Sequence, residues 1–125
     1  MRWKLIAAAS LTAVAWVTAA QADLQSDQVS AGRAVYAEIC AQCHGDSGEG
    51  GEGPALIGRG NALADYRNGR RLFTFLRDAM PNDNPGSLSE QQYYDVIAFL
   101  LSSNSWNPQS QPVDPATAES IVLGP

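Results

Sequence analysis

The chain has 125 residues, 8 basic and 13 acidic, a formal charge of −5, two cysteines and one histidine. Such an acidic balance argues against nucleic acid and anionic lipid as partners, because both would repel it. With a leader set aside, a length near 100 residues supports one small core that a buried apolar group would strengthen.

Residues 1–22, MRWKLIAAASLTAVAWVTAAQA, place Arg2 and Lys4 before an uncharged run and end in Ala20-Gln21-Ala22. This is the pattern of a secretory signal peptide cleaved after Ala22. The run from Leu5 to Ala20 is shorter than the roughly 20 apolar residues that span a bilayer. The reading is therefore an exported, periplasmic protein with no membrane span after cleavage. Its 103 residues carry six arginines, no lysine and a formal charge of −7. Five of those arginines, Arg59, Arg67, Arg70, Arg71 and Arg77, follow a loop crowded with Asp46, Glu49 and Glu52.

Residues 27–44, DQVSAGRAVYAEICAQCH, recur in apolar character at three and four (Val29, Ala31 or Gly32, Val35 and Tyr36, Ile39 and Cys40) and predict a helix. Asp27 and Ser30 are its candidate caps. It ends in Cys40-Ala41-Gln42-Cys43-His44. A structural zinc site needs four Cys or His ligands, and only three exist. A thioredoxin-like dithiol expects a βαβ context, which no strand pattern supplies. A disulfide across C-x-x-C would close a very small loop and stabilise little. What remains is C-x-x-C-H, the attachment signature of c-type haem. Both thiols would form thioethers, and the imidazole would reach the iron from one face. One helical turn brings all three groups to one side.

GDSGEGGEGPALIGRGNA, residues 45–62, reads as a loop. Its formal match to G-x-G-x-x-G is accidental, because a helix precedes it and Glu49 and Glu52 would repel a phosphate. NGRRLFTFLRDAM, residues 68–80, predicts a second helix with Leu72, Phe73, Phe75 and Leu76 as its apolar side. PNDNPGS is a loop. SLSEQQYYDVIAFLLSSN predicts the clearest helix, capped by Ser87 or Ser89, with a stripe of Tyr93, Val96, Ile97, Leu100 and Leu101. Residues 105–125 read as a Pro-rich tail that wraps the surface or a partner. Pro54, Leu56, Tyr66, Phe73 and Leu76 are the candidate cofactor wall.

Over residues 28–103 the chain resembles the class I (mitochondrial-type) cytochromes c. The resemblance rests on Cys40 to His44, Gly53-Pro54-Ala55-Leu56, and Met80-Pro81 followed by the last helix. It is greatest toward small cytochromes that serve periplasmic dehydrogenases. Gly32 and Tyr36 match the positions where first and last helices cross, with Val96 and Phe99 as expected partners. The resemblance implies an all-α small cytochrome c fold, three to four helices with long loops around one covalently bound haem c, in a domain spanning 23–104. It also implies Met80 as sixth iron ligand beside His44, and the Pro54 carbonyl as acceptor for the His44 Nδ1–H. Met80 is the one methionine after the leader and directly precedes Pro81; with no second histidine, bis-His ligation is unavailable. A lysine ring of the mitochondrial kind is missing. The implied role is electron transfer rather than catalysis, from a dehydrogenase to a terminal oxidase or another cytochrome. The alternative is a non-catalytic haem subunit fixed in a quinoprotein or sulfur-compound dehydrogenase.

Overall fold

The computed structural model describes residues 12–107 and 111–125, with side chains from Asp23 onward and at Ala20. Residues 1–11, the first half of the expected leader, therefore lie outside the described residues. The elements are α1 (Thr12–Val35), a π-helical turn (Tyr36–Cys40), α2 (Ala41–His44), a 3-10 turn (Ala62–Tyr66), α3 (Gly69–Ala79) and α4 (Glu90–Ser103). The fold is all-α: among the described residues the only β-type pairing is an isolated bridge between Asn68 and Val122. None of their helices is long and apolar enough to cross a membrane.

The α1 helix starts earlier than its polar residues suggest. Asp27 and Ser30 are interior positions rather than caps, because the Ala-rich stretch upstream is itself a good helix former. The π-turn that follows was not legible either. It widens the backbone over the turn that ends in Cys40, a distortion often found at functional sites. Ser89 caps α4 through a complete capping box: its hydroxyl accepts from Gln92 N at 3.1 Å, and Gln92 Oε1 accepts from Ser89 N at 2.9 Å. Asn68 caps α3 by accepting from Arg71 N at 3.0 Å.

Helix α4 is the centre of the core. Tyr93, Tyr94 and every residue from Val96 to Leu101 are buried, so a helix that read as amphipathic is enclosed on nearly all sides. It crosses α1 at Gly32, where a Cβ would stand 1.8 Å from the Asp95 carbonyl oxygen. The helix axes can approach this closely only because glycine has no side chain. Tyr36 packs on Phe99 with centroids 5.3 Å apart, as the sequence suggests. Val96, the other expected partner, is buried and lines the cleft described below. On the far side, Phe73 of α3 stacks on Tyr94 at 4.3 Å.

The C-terminal segment belongs to this core. Val113, Ala118, Ile121 and Leu123 are buried, worth about 1.5–3 kcal/mol for each large aliphatic side chain. The Gln28 side chain brackets Val113, donating to its carbonyl and accepting from its N–H, both at 2.7 Å. Arg70 N donates to Ala118 O and Leu123 N to Arg67 O, at 3.1 and 2.9 Å. Prolines made this stretch read as a tail, but its apolar side chains fill the gap between α1 and α3.

Candidate functional site

A cleft of about 730 Å³ opens between α2, α3 and α4. Cys40, Cys43 and His44 line one part of it. Leu76, Met80, Leu88, Tyr93, Val96 and Leu100 line the rest, with Pro54 and Leu56 supplied by the glycine-rich loop.

That loop folds back on the helix that precedes it. Gly50 N donates to His44 O at 2.7 Å and Gly53 N to Cys43 O at 2.8 Å, satisfying carbonyls that the end of α2 would leave unpaired. Its amides are thus turned to the protein's own backbone and offer no phosphate cradle. Gly53 is required by contact: a Cβ there would lie 2.6 Å from His44 Cε1. The next residue fixes the ring, because His44 Nδ1 lies 2.7 Å from the Pro54 carbonyl oxygen. A carbonyl only accepts, so Nδ1 carries the proton, and in the neutral ring Nε2 is left with its lone pair for a ligand. His44 is buried, at 9% exposure.

Both cysteines are free and half-buried. Burial, with a smaller contribution from Cys43, pushes the Cys40 thiol up to about 11. It stays protonated at neutral pH, the reverse of the lowered pKa that a redox dithiol needs. Cys43 Sγ lies 3.8 Å from Glu52 Oε2. Among the described residues, no group of three or more His, Cys, Asp or Glu is placed to hold a metal ion.

Met80 closes α3 in an extended conformation, φ −124° and ψ 149°. Leu76 of α3 and Met80, the residue that ends it, both line the cleft. Two expected wall residues are elsewhere: Tyr66 packs on Phe75 with centroids 4.9 Å apart, and Phe73 turns to Tyr94. Ile39, Leu88, Tyr93, Val96 and Leu100 take their place. Three of these belong to the stripe already visible in α4, but periodicity does not distinguish a face toward a cavity from a face toward neighbouring side chains.

Residues 27–100 match the sequence family described as cytochrome C oxidase, cbb3-type, subunit III. The chain belongs to this c-type cytochrome family. The cytochrome is also 33% identical over 102 residues to the thiosulfate dehydrogenase of Stutzerimonas stutzeri (strain A1501), covering 75% of this chain and 31% of that protein. It superimposes on the crystal structure of the sulfane dehydrogenase SoxCD from Paracoccus pantotrophus with a TM-score of 0.58 at 29% identity, over 76% of this chain and 52% of the other. It thus spans less than a third of the first relative and about half of the second. The family implies a haem, and the cleft fits one. Its size lies within the usual range of cofactor pockets, its lining is mainly apolar, and a nitrogen with a free lone pair and a thioether share it with two unpaired thiols.

Proposed function

We propose that this cytochrome is an exported one-electron carrier holding a single haem c. Cys40 and Cys43 would hold it through thioethers, and His44 and Met80 would supply the iron ligands. It takes electrons from a periplasmic dehydrogenase, with a sulfur-compound dehydrogenase favoured by the two relatives, and passes them to another cytochrome or a terminal oxidase. The observation that carries the reading is one apolar cleft lined by Cys40, Cys43, His44 and Met80, with the His44 tautomer set by Pro54. A haem held there would supply a ferrous–ferric couple. The Pro54 carbonyl holds the imidazole in one orientation. The Met80 thioether favours the reduced state, and the apolar lining excludes water and favours the less charged form.

Export rests on the signal pattern, with cleavage after Ala22. Mass spectrometry of the purified protein tests attachment: the expected mass is that of residues 23–125 plus one haem. A Cys40→Ala/Cys43→Ala variant should lack the increment, and a wild-type chain weighing only its amino acids overturns the proposal.

The second reading, a haem subunit fixed in a dehydrogenase complex, draws on the same two relatives. The C-terminal segment is poorly suited to be its interface, because its apolar side chains are consumed internally; Val122 is the exposed one, at 66%. A complex that survives purification at high salt would favour the subunit over the carrier.

Charge bears on the partner. Glu52 and Asp83 are the acidic residues lining the cleft, and no arginine joins them. Arg33 lies over Phe99, Arg70 donates to the Pro115 carbonyl, and Arg77 pairs with Asp78. The redox face therefore suits a basic partner. Small complexes report the same field. Electron exchange with hexaammineruthenium, a cation, should slow as the Debye length falls from about 30 Å to about 8 Å with added salt, whereas exchange with ferricyanide, an anion, should quicken. Equal salt responses would contradict an acidic redox face.

A further inference from the structure

The Met80 segment is held from two sides. Its N–H donates to Leu76 O at 2.8 Å, the last link to α3. Its carbonyl accepts from the Tyr93 hydroxyl at 2.7 Å, a link to the first turns of α4. Among the described residues no other hydrogen bond joins 80–88 to α4; the remaining bonds of that loop, Asn84 N to Pro81 O and Ser87 N to Asn84 O, are internal. Tyr93 is itself well fixed. It is 1% exposed, its ring meets Phe73 edge-on at 6.2 Å, and the Ser89 capping box anchors the turn that carries it. It also lines the cleft beside Met80.

We propose that Tyr93 is the positioning residue that keeps the sixth iron position closed, by holding the Met80 backbone so that the thioether stays in the cleft. The inference rests on Met80 being an iron ligand. Tyr93 acts through the Met80 carbonyl and needs no contact with iron. Without the hydroxyl, residue 80 is secured only through α3, and the nine-residue segment behind it swings as a loop. The phenol thereby decides whether this cleft passes electrons only or also admits a small diatomic ligand.

Carbon monoxide binding to the reduced holoprotein tests this, with Tyr93→Phe, Tyr94→Phe and wild type compared. The Phe variant keeps the ring and its packing and loses only the donor. It should bind carbon monoxide about tenfold or more faster than wild type, as expected from losing one buried hydrogen bond. Tyr94 is also buried but stacks on Phe73 away from the cleft, so Tyr94→Phe should match wild type even if its melting temperature falls. Equal rates in Tyr93→Phe and wild type overturn the positioning role, as does an equal acceleration in Tyr94→Phe, which would indicate general loosening. Free carbon monoxide binding by the wild type overturns Met80 ligation and this inference with it, and so separates the two failures.

Discussion

Gly32→Ala should destabilise the protein by about 2–4 kcal/mol, reversing the sign that the local rule assigns. In an ordinary helix interior the change is favourable by up to about 1 kcal/mol, because alanine restricts the unfolded chain and glycine does not. Here the added Cβ would meet the Asp95 carbonyl oxygen at 1.8 Å, its carbon at 2.4 Å and Phe99 Cβ at 3.0 Å. Two of those three atoms are backbone, so no rotamer change relieves the contact and α1 must move away from α4. That movement loosens the Tyr36–Phe99 pair and the Arg33 guanidinium stacked 5.3 Å above Phe99. Overpacking of this kind generally costs 1–3 kcal/mol, and a rigid obstacle raises it. For a domain near 100 residues, the midpoint of thermal unfolding should fall by roughly 10 °C or more. A variant melting at or above the wild type would show that the helices do not cross at this glycine.

The second large effect concerns Met80. Replacing it with alanine removes the only thioether in the cleft while leaving α3 and its final hydrogen bond to Leu76 O intact. The expected result is a folded holoprotein whose midpoint potential drops by on the order of 100 mV, within the roughly 0.8 V that axial ligands span. Its reduced form should bind carbon monoxide readily. The direction follows from chemistry: a soft sulfur ligand stabilises the reduced metal, and water or a vacant position does so less. Redox titration of both proteins checks the sign. An unchanged potential would remove Met80 from the ligand set and leave His44 as the one axial residue from this chain.

The candidate attachment positions were readable because the C-x-x-C-H signature demands particular residue types at fixed spacing. Cys40, Cys43 and His44 are the whole supply of their kinds after the leader, so counting identified the haem motif before any fold was known. The capping of α4 was equally local, since Ser89 and Gln92 satisfy each other within one turn. Gly53-Pro54 was visible as a motif, but its physical reason, ring clearance at residue 53 and a carbonyl acceptor at residue 54, required the loop to be seen folded back on α2.

Other features depend on contacts between residues distant in the chain. Gln28 and Val113 are 85 positions apart, and nothing in either segment announces their pairing. The same holds for Asn104, which donates to Leu56 O at 2.9 Å and accepts from Gly58 N at 3.0 Å, binding the cleft loop to α4. The C-terminal segment read as a tail because prolines erase periodicity, yet burial is decided by the shape of the gap it fills. Tyr93, Val96 and Leu100 read as plain core for a related reason: an apolar stripe specifies that a face avoids water without saying whether protein or cofactor covers it. Composition and spacing therefore determined the motif and the ends of α4. Packing alone decided which apolar residues surround the cleft, where the last fifteen residues lie, and what holds Met80 in place.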